Sequence, residues 1–138
     1  MQIILNYIWL LPLAIAAISN AIMDNIEHHW FDSIFNDTKK HDPQFWNPSM
    51  SWRNKYIDGD YFKDHKKFKI WRWEFNTFDF ASDAWHLFKS LMIVMQAVAL
   101  MLSAMYYQPI YTYLEAIVIY GLVWNGTFNL FYNKILKR

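Results

Sequence analysis

Three long stretches of this chain carry almost no charge, and no other feature narrows the fold as much. From Ile3 to Met23 there is no charged residue, and Asn6, Ser19 and Asn20 are the clear polar interruptions. From Leu91 to Tyr107 the chain is again uncharged, with Gln96 and Ser103 inside. From Ile110 to Tyr132 the one charge is Glu115. About 20 apolar residues in helical form cross the hydrocarbon of a bilayer. The middle run reaches that length when extended back through Asp83–Lys89, whose first turns then sit in the headgroup layer. The reading is an all-α integral membrane protein, one unit over 1–138, with spans at about 3–28, 82–107 and 109–133. A cleaved signal peptide is the rival reading of the first run, since Ala14-Ile15-Ala16 resembles a cleavage site. Only Gln2 separates Met1 from the apolar run, however, so the basic n-region is missing and the segment is expected to be retained. The short connection at Gln108-Pro109 predicts an antiparallel hairpin of the second and third helices.

Between the first two spans lies a polar, aromatic-rich insert of about 50 residues, roughly 30–78. Six of the eight Trp fall between Trp30 and Trp85, as expected of a region resting against headgroups. The insert is too small for much core of its own, so it is expected to pack on the membrane and the helix ends. Asp58-Gly59 between Tyr56-Ile57 and Tyr61-Phe62 predicts a small hairpin. Lys67–Phe75 alternates polar and apolar with a phase slip at Ile70-Trp71, which fits a strand or an interfacial segment. Phe45–Lys55, dense in aromatics and turn formers, reads as an interfacial anchor or a recognition loop.

Charge sets the orientation. The chain has 13 Lys and Arg, all in the insert, at Lys89, or after the third span at Lys134, Lys137 and Arg138. Three crossings put all of them on one side. The positive-inside rule then places the N-terminus outside and the insert and C-terminus in the cytoplasm, at the inner membrane if the cell is bacterial. Against 12 acids the net charge is +1, so no nucleic-acid partner is expected. The absence of cysteine removes disulfides, thiol catalysis and Cys-ligated metals. Lys63, Lys66, Lys67 and Lys69 are a candidate contact for anionic lipid, or a solvated basic face.

Polar residues gather at the insert ends of all three spans. Asn20, Asp24 and His28 recur every four residues, with Glu27 and His29 beside them. Asp79, Asp83, His86 and Ser90 share one helical face, as do Asn125, Asn129 and Asn133. Asp24/His28 and Asp83/His86 have the spacing of paired ligands on adjacent bundle helices, which suits a divalent Zn, Fe or Mn ion. Glu27 would then be the general base, with Asn20, His29, Asp79 and Asn129 orienting the ligands. Without an ion the same residues make a hydrogen-bonded cap, with acids favoured at a helix N-terminus and His at a C-terminus.

Asn20-Ala-Ile-Met-Asp24, Phe45-Trp-Asn-Pro48, Ser51-Trp-Arg-Asn-Lys55 and Ser82-Asp-Ala-Trp-His-Leu-Phe-Lys89 together resemble a family of small integral membrane proteins of Bacteroidetes-type bacteria and their phages. The resemblance covers roughly residues 18–90 and leaves the third span outside it. It implies a membrane protein and no particular mechanism. The leading functional expectation is a polar, metal-dependent, hydrolase-like site at the cytoplasmic interface. The alternatives are a structural or accessory subunit of a larger membrane complex and a small oligomeric transporter, so the expected partners are the bilayer, a membrane protein or further copies of the chain.

Overall fold

The computed structural model describes residues 6–70, 72–76, 79–106 and 113–138, with backbone alone at 68–70, 75–76 and 79. In chain order the main elements are α1 (Leu10–His28), the one-turn helices α2 (Pro43–Trp46) and α3 (Pro48–Ser51), strands β1 (Lys67–Ile70) and β2 (Trp73–Asn76), α4 (Ala84–Tyr106) and α5 (Tyr113–Leu130). A π-helical turn, Phe131–Ile135, extends α5. Three helices, α1, α4 and α5 with its extension, are long and apolar enough to cross a membrane. The second and third lie within a few residues of the expected spans, whereas α1 begins seven residues after the expected start at residue 3. The Gln108-Pro109 connection lies outside the described residues.

Helix α1 is the centre of the bundle. Leu13, Ala16, Ala17 and Ala21 are fully buried, and Ser19 folds its hydroxyl back onto the Ile15 carbonyl at 2.9 Å. Small side chains let neighbouring helix backbones approach closely. Both α4 and α5 therefore pack on α1, and among the described residues they pack on it more than on one another. The antiparallel hairpin expected of the second and third helices turns on a connection outside the described residues. A short link fixes chain order, but the alanines of α1 decide which helix is central.

Two apolar clusters hold the bundle. One joins Trp9, Leu13 and Ala99 with Leu102, Ile119, Val123 and Trp124. The other joins Ala21, Ile22, Ile26, Ala84 and Leu136 with Phe35 from the insert. Phe35 stacks on Trp46 at 4.2 Å, and Trp46 meets Phe88 of α4 at 5.9 Å. The insert thus shares a core with the helix ends, as its small size requires.

Local chemistry shapes the insert. Asp42 and Asn47 each accept a backbone N–H two residues on, at 2.9 and 3.0 Å, and each precedes a proline at the first helical position. That repeated cap-and-proline unit makes α2 and α3. Asp58 and Gly59 adopt positive φ of 55° and 70°. The loop they turn closes further out than expected. Tyr56 bridges His65, the Ile57 N–H donates to the Asp64 carbonyl, and the Lys66 N–H donates to the Lys55 carbonyl. The Lys67–Phe75 stretch is a hairpin, with Ile70 opposite Trp73. The phase slip in its alternation marks the turn, so the otherwise helical fold includes a two-stranded sheet.

The C-terminal residues close this end. The Ile34 N–H donates to the Leu136 carbonyl at 3.0 Å and the Arg138 N–H to the Asp32 carbonyl at 2.8 Å. The Arg138 guanidinium also lies 3.3 Å from the Asp37 carboxylate. Insert and C-terminus lie at the same end of the bundle, in agreement with the charge pattern.

Candidate functional site

Where the insert meets the start of α4, a pocket of about 300 Å³ has Glu27, Ser51, Lys55, Asp83 and His86 among largely apolar walls that include Trp52 and Trp85. Asp83 caps α4, accepting the His86 backbone N–H at 2.8 Å. An N-cap carboxylate satisfies one of the orphan donors of the first turn. The same carboxylate lies 2.8 and 2.9 Å from His86 Nδ1 and accepts from the Ser82 hydroxyl at 3.3 Å. Asp83 is 3% exposed, so it enters the fold only because these donors replace water.

The carboxylate fixes the His86 tautomer. Nδ1 carries the proton and donates it to Asp83, which leaves Nε2 as an acceptor facing the pocket. Nε2 is met by the Lys55 ammonium at 3.3 Å. Lys55 comes from the insert, and one neighbouring amide holds it in place. Asn54 Nδ2 donates to the Ser82 carbonyl at 2.8 Å and to the Gln44 carbonyl at 2.9 Å, while Gln44 Nε2 donates to Asn54 Oδ1 at 2.8 Å. Across the pocket Glu27 accepts the Trp85 indole N–H at 2.9 Å. Lys89 lies 4.5 Å from the Trp85 ring centroid, and Arg53 lies 5.4 Å from that of Trp52. Two cations are therefore held over indole faces at the pocket rim.

Not all the expected site residues assemble. Asp83 and His86 pair, and Glu27 lines the same pocket. Asp24 is half-buried and His28 exposed, and neither hydrogen-bonds to Asp83 or His86. Among the described residues no three His, Cys, Asp or Glu side chains are placed to hold one ion. Both ring nitrogens of His86 are engaged, one by a carboxylate and one by a cation, so an ion at Nε2 requires Lys55 to leave. Asn20 is half-buried on α1, His29 packs edge-on against Tyr132, and Asn129 donates to the Asn125 carbonyl on its own helix. The Asp79 side chain lies outside the described residues.

Lys55 and Ser51 were not among the expected site residues. The signal for them was the aromatic stretch Phe45–Lys55, whose recognition-loop reading places them at the pocket. Of the lysines considered for anionic lipid, Lys63 pairs with Asp58 at 2.6 Å and Lys67 with Glu74 at 3.8 Å. Hydrogen bonding to Lys63 lowers the Asp58 carboxyl below its ordinary value, and Asp58 in turn raises Lys63.

Asn25 on α1 is fully buried, and neither polar atom of its side-chain amide has a hydrogen-bond partner among the described residues. Buried amides are nearly always paired, so this one costs stability. Comparison with family models, curated proteins and solved structures gives no match.

Proposed function

We propose that this is an inner-membrane protein with three spans, its N-terminus outside and its insert and C-terminus in the cytoplasm. In this reading the insert-covered pocket receives the anionic headgroup of a membrane lipid, and the Asp83–His86 pair positions Lys55 beside it. The observation that carries the reading is the contact of Lys55 with His86 Nε2. An ammonium held against an imidazole nitrogen, with a carboxylate fixing the far side of the ring, is a positioned anion-binding group. Lys89 and Arg53 add positive charge at the rim, and the indoles beneath them favour headgroup depth.

The test is lipid retention by detergent-purified protein, read by native mass spectrometry and by competition between phosphatidylglycerol and phosphatidylcholine. Phosphatidylglycerol is expected to be retained preferentially. Lys55→Ala is expected to weaken that preference about tenfold, in line with one charge-assisted contact. Equal retention of the two lipids by wild-type protein overturns the headgroup reading. Stoichiometric Zn, Fe or Mn by elemental analysis, lost in His86→Ala, replaces it with the metal reading.

A further inference from the structure

The outer face of α5 carries three amides with unspent hydrogen-bonding capacity. Asn125 Nδ2 donates to the Gly121 carbonyl at 2.9 Å, Asn129 Nδ2 to the Asn125 carbonyl at 2.8 Å, and Asn133 Nδ2 to Asn129 Oδ1 at 3.1 Å. Each bond uses one N–H of an amide that has two, and each amide oxygen can accept twice. Asn125 Oδ1 and Asn133 Oδ1 have no partner among the described residues, and all three side chains are exposed. The opposite face of α5 is the packed one, through Ile119, Val123 and Trp124.

Depth makes this costly. Asn125 lies about 12 Å along the helix axis from Asn133, at 1.5 Å per residue. It therefore falls near the middle of the apolar run Tyr113–Ile135. Polar groups at such depth are satisfied by protein, because hydrocarbon offers no partner. A shallow groove of about 440 Å³ runs along the same face past Gly121 and Gly126. A Cβ added at either glycine meets nothing within 4 Å, so neither glycine is needed for packing inside one chain.

We infer that this face of α5 binds a second copy of the chain, giving a parallel dimer with its two-fold axis along the membrane normal. The inference rests on the membrane reading above and not on the lipid site. The occupant follows from the chemistry. An asparagine is donor and acceptor at once, so the surface is complementary to itself, as a two-fold interface requires. There is no charged residue from Ala116 to Asn133 that would call for an oppositely charged partner. A second copy inserted the same way brings its Asn125 to the same depth without further design. The two glycines let the helix backbones approach closely enough for the amides to meet.

The chain has no cysteine, so each introduced thiol is unique. In proteoliposomes, oxidation of single variants is expected to cross-link Gly121→Cys and Asn129→Cys and to leave Ile119→Cys and Val123→Cys monomeric. Gly126→Leu is expected to lower cross-linking at Gly121→Cys at least about tenfold without changing the melting temperature, since the added side chain has space in the monomer. Asn125→Leu with Asn129→Leu is expected to do the same about tenfold. Extraction with alkaline carbonate is run first. Release of the protein there overturns the membrane reading. Retention with a single photobleaching step per particle at high protein density, or cross-linking at Ile119→Cys and Val123→Cys instead, overturns the dimer. Co-purification of another membrane protein without self-cross-linking overturns it too.

Discussion

Helices α1 and α5 are equally apolar by sequence and oppositely placed. Their most apolar windows have the same mean hydropathy of 1.2, yet 56% of the window is buried inside the molecule for α1 and none for α5. The difference lies in side-chain size and in the placement of polar groups. Helix α1 has alanines and a serine where its neighbours approach, and the serine satisfies its own hydroxyl. Helix α5 has bulky residues toward α1 and glycines and asparagines on the far side. Hydropathy says that a helix avoids water. Side-chain volume and polarity say whether its surroundings are protein or lipid.

The largest effect that would break this comparison is at Ala17, which is fully buried. Ala17→Leu forces extra methylenes into the α1 contact and is expected to cost about 1–3 kcal/mol. A melting curve that matches wild type would mean that α1 is not the central helix. The matched leucine on the open side of α5, Gly126→Leu, is expected to leave a monomer unchanged within about 0.5 kcal/mol. A smaller effect of opposite sign is expected at Asn25. Asn25→Leu replaces an unpaired buried amide with an apolar side chain of similar volume and should raise stability by about 1 kcal/mol. A loss of stability there would reveal a partner for the amide. The smallest effect belongs to the exposed insert, where neither helix contributes. The Asp58 carboxyl, lowered by Lys63, should titrate below 3.8 by NMR and return toward that value in Lys63→Ala. Its small contribution to stability is complete above the ordinary carboxylate range and is lost as pH falls through the lowered value.

Much of this was legible before the structure. Helix length is written in uncharged runs, so the three long elements could be read directly, though not the start of α1. The shared end of insert and C-terminus followed from the count of three crossings. Asp83 and His86 could be paired because three residues make one helical turn. Lys55 could not be assigned to them, since it reaches His86 from 31 positions away along an irregular path. The four residues of the expected metal set are not brought together, for a related reason. Spacing places Asp24 and His28 on one helix face, but it does not turn that face toward α4. The hairpin within Lys67–Asn76 was partly legible, because a reversal of direction shifts the alternation of faces by one residue.

The Asn54 amide has a mechanical consequence. It fastens Gln44 and the segment holding Lys55 to Ser82, two residues ahead of α4, so Ser51, Trp52, Lys55, Asp83 and His86 form one jaw at the start of that helix. Glu27 is the jaw from α1. The indole of Trp85 spans the two, and its hydrogen bond to Glu27 is the catch. The width of the pocket therefore depends on the separation of α1 and α4, since its two sides are carried by different helices.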